Sequence, residues 1–288
     1  MMRTCAALFG AGAVLALAAC TDVAGGPVAP GVRSAPDAPS LITFGAPDAG
    51  HPHVGAVIFQ RGGSFYSCTG TLISPTVMVT AGHCVESEGK LNTVTYARFD
   101  QNAAADRKAY PTLKAWLDAK WILASKVIAH PQFNDFKAFP NTYDVGIVIL
   151  SKPVILPEYG VLPEIGLLES ISRSPKANKL FTAVGYGLQG DINPFFSNIF
   201  ARFSGTTMLI EAHSTRAGEG QSAKFSNNPG LGGGTCYGDS GGPIFYGTSN
   251  VIGAITSFGF TPCIGNDFNF RLDTQTAQDF IRPFLLPN

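Results

Sequence analysis

GTCYGDSGGPIF, residues Gly234–Phe245, sets Asp239 and Ser240 among glycines, just after Cys236, and then runs straight into an apolar segment. Seven of the thirteen positions from Gly230 to Gly242 are glycine. Glycine gives up the most backbone freedom on ordering, so this run suits neither a helix interior nor a regular strand. It suits a tight loop whose main-chain N–H groups come close to something. A serine hydroxyl on such a loop is a weak nucleophile until a base accepts its proton.

Two further segments supply a base and its support. VMVTAGHC, Val77–Cys84, is an apolar strand that ends in small residues and presents His83 beside Cys84. NTYDVGIVIL, Asn141–Leu150, opens with a polar turn and places Asp144 at the mouth of an apolar strand. An imidazole titrates at about 6.5, close to neutrality, which suits it to accept a hydroxyl proton. A buried carboxylate then fixes the imidazole tautomer and stabilises the imidazolium. Chain order decides which fold can assemble the three. GDSGG also satisfies the G-x-S-x-G pattern of α/β-hydrolases, but their histidine follows the serine, and here the last histidine is His213. A subtilisin-like order could be forced only with Asp48, without the parallel sheet and helices it needs. The order His83, Asp144, Ser240 is the chymotrypsin order.

The remaining sequence agrees with a strand-dominated body. Of 288 residues 45% are hydrophobic and 14% charged, which fits a packed globular chain and argues against disorder. Basic and acidic residues balance at 20 each with no block of like charge, so no nucleic-acid partner is expected. Short β-branched and aromatic runs recur between Gly, Pro, Asn and Ser clusters, at 54–60, 71–73, 77–80, 94–99, 126–129, 144–150, 180–185, 206–211, 242–246 and 251–257. Helical periodicity is clear only near the end, where Ala277, Phe280, Ile281 and Phe284 form one stripe after a cap at Asp273 or Thr274. Pro283 shortens or kinks that helix. Leu113–Leu123 is a second helical candidate, read as part of a surface insertion. His51, His53, His130 and His213 read as ordinary loop or strand-end residues. No H-E-x-x-H or paired Cys-x-x-Cys spacing occurs, so no metal site is expected.

The first residues have the form of a targeting segment. MMRTCAALFGAGAVLALAAC carries Arg3 before an alanine-rich apolar stretch too short for a good membrane span. Its end, LAAC, resembles the lipobox of bacterial lipoproteins, in which the cysteine, here Cys20, is acylated. Ordinary cleavage near Ala18 is the competing reading, but it would leave five cysteines and one odd thiol, whereas acylation of Cys20 leaves four, enough for two bridges. The expected organisation is a signal peptide over 1–19, a Pro/Ala/Gly-rich tether over 20–40, one β-barrel over 41–160, and a second with a C-terminal helix over 161–288. Such a chain is exported from a bacterial cytoplasm and touches a membrane only through the lipid.

From about Leu41 onward the chain resembles the trypsin/chymotrypsin-like serine proteases. TAGHC, DVGIVIL and GDSGGP are similar to that family's three signature segments, and VGYG at 184–187 and SFG at 257–259 to two more. The resemblance implies an all-β fold of two six-stranded antiparallel barrels with the site between them. It implies a monomeric endopeptidase acting on proteins or peptides without a cofactor, with His83, Asp144 and Ser240 catalytic. It also implies bridges Cys68–Cys84 and Cys236–Cys263, and an oxyanion hole formed by the amides of Gly238 and Ser240. Asp239 would hold the loop by pairing with a cation.

Two departures qualify the resemblance. In activatable members that cation is an amine freed before an Ile-Val-Gly-Gly-like sequence, and the nearest counterpart here is LITFG, Leu41–Gly45, with no basic residue before it. Cleavage near Ile42, an internal partner for Asp239, or a zymogen as written all stay open. The alternative to catalysis is a non-catalytic or zymogen-locked binding module on the same scaffold. Second, where basic-specific members carry an aspartate in the substrate pocket, this chain has Gly234. Ser257 and Gly259 would line the pocket entrance, and Asp267 could reach its floor and restore a basic preference.

Overall fold

Twelve strands of the computed structural model close into two antiparallel barrels. The structure describes residues 42, 45–138, 141–192, 195–212 and 220–286. His213, Cys5, Cys20 and the expected signal and tether lie outside the described residues.

The first barrel contains β1 (Val54–Arg61), β2 (Ser64–Leu72), β3 (Val77–Thr80), β4 (Val94–Arg98), β5 (Ile122–Ala129) and β6 (Gly146–Leu150). Around it the order is β1-β2-β3-β6-β5-β4, with β4 closing on β1. The second contains β7 (Leu180–Gly185), β8 (Phe203–Glu211), β9 (Ser222–Asn227), β10 (Pro243–Tyr246), β11 (Ile252–Gly259) and β12 (Gly265–Arg271). Its order is β7-β10-β11-β12-β9-β8, with β8 pairing back to β7. Closure leaves neither sheet a free edge, which removes the main aggregation hazard of so strand-rich a chain.

Side chains at alternate positions fill each barrel, Val57, Leu72, Met78 and Val148 in the first and Phe181, Leu209, Phe225 and Ala254 in the second. A third apolar cluster joins the two barrels, with Val54, Val79 and Ile147 facing Val184, Phe245 and Ile255. Buried Arg202 adds a polar tie: its guanidinium donates to the carbonyls of Asp48, Val54 and Phe99 at 3.2, 3.0 and 3.0 Å and to the Tyr186 hydroxyl at 3.0 Å. These contacts make the seam rigid, and the seam positions the site.

The C-terminal helix runs Gln275–Ile281 and packs Ala277 and Ile281 on the inter-barrel cluster, with Phe280 and Phe284 beside them. Of the two expected caps, Thr274 is used, its hydroxyl accepting from Ala277 N at 3.2 Å. Asp273 instead takes the Arg271 guanidinium and the amide of Leu168 at 2.8 Å. Pro283 falls in a single 3-10 turn, Arg282–Phe284, so the helix is short. The second helical candidate forms Leu113–Lys120, capped by Thr112, and stops where Ile122 enters β5. A short helix at Leu167–Arg173 has no clear signal in the sequence.

Candidate active site

His83 sits on a one-turn 3-10 segment, Gly82–Cys84, at the end of β3. Gly82 fits closely there, since a Cβ would press on the Phe133 ring at 3.0 Å and on Asp144 Oδ1 at 3.2 Å. Cys84 is bonded to Cys68 on β2, pinning the turn to the barrel. Asp144 lies two residues before β6 and is fully buried. Its carboxylate accepts from His83 Nδ1 at 2.9 Å, from the His83 amide at 2.9 Å, and from Ser257 Oγ at 2.5 Å. Burial alone would lower the His83 pKa, but the charge and hydrogen bond of Asp144 outweigh it and raise the imidazole above its ordinary value. With Nδ1 occupied, the proton-accepting nitrogen left is Nε2, on a ring still about 25% exposed.

Ser240 shares with His83 the lining of two cavities. Its loop is held from several sides. The carbonyl of Ser240 accepts from Thr69 N at 2.9 Å, Gly241 N donates to Thr256 O at 2.7 Å, and the Thr69 hydroxyl donates to Gly238 O at 2.9 Å. Gly241, at φ +77°, also has no room for a side chain against Thr80 and Ala81. The amides of Gly238 and Ser240 have no backbone acceptor among the described residues. The carbonyls of their own peptide planes are anchored: Tyr237 O by Leu188 N at 2.8 Å and Asp239 O by Gly242 N at 2.7 Å. In a trans peptide the N–H points opposite to the C=O, so both amides are aimed away from those anchors and fixed in direction.

Asp239 is buried beside this loop. Its carboxylate accepts from Gly187 N at 2.7 Å and Cys236 N at 2.9 Å, and Gly185 and Gly187 leave no gap around it. No cation pairs with it among the described residues. Burial therefore pushes its pKa up to about 7, against the lowering effect of the two amides.

The smaller cavity, about 280 Å³, has Ser257, Phe258 and Gly259 along one wall and Thr235, Cys236 and Tyr237 along the other. The Cys236–Cys263 bridge closes its rim. Asp267 lies within it, accepting from Asn269 Nδ2 at 2.9 Å and from the Thr235 hydroxyl, and burial raises its pKa to about 6. Gly234 does not line the cavity: a Cβ there would overlap Asn227 Oδ1, whose amide is bonded to Thr235 N at 3.1 Å. Asn227 thus occupies the space that sequence reasoning assigned to position 234, and Ser257, expected only at the entrance, also supports Asp144. Neither role had a local signal, because both depend on the register of distant strands.

A model of the Trypsin family matches residues 42–281. Among curated proteins, brachyurin of Leptuca pugilator is 26% identical over 72% of this chain and 81% of its own. A renal glandular kallikrein of Mastomys natalensis is also 26% identical, over 81% and 85%. Among solved structures, HL collagenase superposes with a TM-score of 0.61 at 16% identity, covering 86% of this chain and 97% of that one. The protease Anisep of Arthrobacter nicotinovorans gives 0.54 at 17% identity, covering 79% and 93%.

Proposed function

The chain belongs to the trypsin family of serine proteases, hydrolases of protein or peptide substrates, and we propose that it is an endopeptidase working through His83, Asp144 and Ser240. Ser240 Oγ attacks the scissile carbonyl while His83 Nε2 takes its proton and then passes it to the leaving amine. The amides of Gly238 and Ser240 receive the developing oxyanion, a contribution of about 2.7–4 kcal/mol for each donor in sites of this kind. The product of the first half-reaction is an ester on Ser240, which water cleaves by the same steps in reverse. The observation that carries this reading is the lock on His83 Nδ1, which leaves one ring nitrogen free on the face shared with Ser240. Labelling with a fluorophosphonate, mapped to Ser240 by peptide mass spectrometry, tests it. A protein that begins at Ile42 and takes no label is not a serine hydrolase.

Substrate choice on the acyl side follows from Asp267, the one carboxylate that lines the smaller cavity among the described residues. A lysine or arginine side chain entering there meets a buried acceptor, a charge-assisted contact of about 1.5–3 kcal/mol. Asp267 ionises as pH rises through about 6, so the cation is favoured above that value and loses its partner below it. The ratio of kcat/KM for an arginine substrate to that for its leucine analogue is expected to climb about 10- to 100-fold across this range. Taking a ratio cancels the titration of His83, which both substrates share. Asp267→Asn should flatten the profile; an unchanged profile assigns selectivity elsewhere.

Export and attachment through an acylated Cys20 complete the proposal. The two disulfides support an oxidising compartment. The mass of the mature N-terminal peptide reports both the cut and the lipid.

A further inference from the structure

The larger cavity, about 770 Å³, opens on the other side of Ser240 and His83 from the pocket that holds Asp267. Its lining is unusual in charge. Arg61 and Arg107 contribute two cations, and no aspartate or glutamate lines it among the described residues. Aromatic rings supply much of the rest, including Phe65, Tyr66, Trp116 and Tyr237. Tyr66 and Tyr237 are each more than half exposed, Tyr66 with one face stacked on Phe59 at 5.7 Å.

The segment between β4 and β5, residues 99–121, builds the outer wall through Ala104, Arg107, Leu113 and Trp116. Its acidic residues are already engaged. Asp106 takes Arg98, Lys120 and the Trp116 indole N–H; Asp100 takes Arg98; Asp118 takes Lys114 and the Tyr96 hydroxyl. Arg107, next to Asp106 in sequence, is left with a single protein acceptor, the carbonyl of Tyr110 at 2.9 Å, and lies over the Trp116 ring at 5.8 Å. Its Nε and Nη2 have no acceptor among the described residues. Arg61 is fixed differently, by the carbonyls of His83 and Glu86 and by Asn92, and none of these neutralises its charge. Asp135, the carboxylate that acts on Arg61, is outside the lining and accepts from the Glu88 amide.

A peptide with its scissile bond at Ser240 lies between the two cavities, since both share His83 and Ser240. We propose that the larger cavity binds the substrate segment on the leaving-group side, and that it selects a carboxylate carried within the first few residues after the cut, next to aromatic or apolar contacts. The proposal rests on the serine-protease reading in which the side chain before the cut enters the Asp267 pocket. Two partly buried guanidinium groups, with no carboxylate beside them among the described lining residues, supply the selection, and stacking surfaces supply the affinity. The carboxylate can be an acidic side chain or the free end of a short peptide.

Acyl transfer tests this apart from the acyl-side pocket. An ester substrate forms the acyl-enzyme on Ser240, and an added peptide amine competes with water for it. Attack by the amine breaks the ester, forms an amide and returns the proton to Ser240 Oγ through His83. Ala-Glu-amide is expected to be captured about tenfold more efficiently than Ala-Lys-amide, a difference of about 1.4 kcal/mol. Preference for Ala-Ala free acid over its amide, without preference for glutamate, assigns the carboxylate to the chain end; either preference supports the site. Equal capture of all four peptides overturns it. Arg107→Glu should reverse the glutamate-to-lysine order, and Arg107→Gln, a smaller change to the fold, should reduce it; ratios unchanged in both variants also overturn it. Should no acyl-enzyme form, calorimetric titration with the same peptides decides, because equal affinities refute the carboxylate site while absent acylation counts only against the catalytic reading.

Discussion

Asp144→Asn is expected to fold and form both disulfides, yet to lower kcat by about 10⁴, the size of the same change in other Ser-His-Asp proteases. Ser240→Ala should lower kcat by about 10⁶, to the residue of activity that binding and the oxyanion amides supply alone. The asparagine result follows from the bonds around position 144. The Oδ1 position receives the His83 amide, a fixed donor, so the side-chain oxygen of asparagine must stay there. Its NH₂ then occupies the Oδ2 position, facing Ser257 Oγ at 2.5 Å and His83 Nδ1 at 2.9 Å. The serine hydroxyl can rotate to accept. Nδ1 can accept only by giving up its proton, which moves to Nε2, the nitrogen that must take the proton of Ser240. The substitution thus leaves the shape of the site and reverses the tautomer that chemistry needs. Steady-state kinetics on an ester substrate, with circular dichroism matched to the wild type, would measure this. An asparagine variant that keeps more than about a tenth of wild-type kcat would remove Asp144 from the mechanism.

His83 and Asp144 were legible in the sequence because each stands beside a strand end, where the backbone leaves little choice. Val77–Thr80 and Gly146–Leu150 are short, apolar and bounded by glycine or polar turns, so both the strands and the side chains they present can be read locally. The substrate pocket was harder to read for a physical reason. It is carried by β9 and β12, SAKFSN and GNDFNFR, whose polar residues face inward. Asn227, Asp267 and Asn269 are all buried and bonded around Thr235, so the usual alternation of apolar inside and polar outside is broken on these two strands. The support of Asp144 by Ser257 spans 113 positions and exists only once the barrels are closed and joined. Leu113–Leu123 was expected to be helical within a surface insertion. The helix forms at Leu113–Lys120 and buries one face through Trp116 and Leu117, and the 99–121 segment supplies one wall of the larger cavity.

A chain trimmed to begin at Ile42 is expected to be more active than the longer chain by about 10²–10³, because its new ammonium can neutralise Asp239. An ammonium about 4 Å from a carboxylate near a protein surface is worth about 4 kcal/mol before desolvation is subtracted, which sets the upper end of that range. The carboxylate is buried, held by two neutral amides, and pushed up to about 7. The new terminus has to move from where Ile42 now sits to bring its charge to Asp239. The Ile42 side chain is buried in the core of the second barrel and packs against Gly205. Gly205 pairs with Ala183, two residues from Gly185, which lies against the Asp239 carboxylate. The pH dependence of stability should separate the two forms. In the longer chain the folded-state pKa lies above the unfolded value, so the folded state keeps a proton that the unfolded state releases. Stability from this group is therefore full below about pH 4 and declines as pH rises through about 7. An ammonium at Ile42 favours the charged carboxylate, lowers its pKa and removes the decline. Asp239→Asn should abolish both differences, making the trimmed and longer chains alike in kcat/KM and in the pH profile of Tm. If the wild-type forms are already alike, Asp239 draws its partner from elsewhere and the loop of Ser240 needs no cut to become competent.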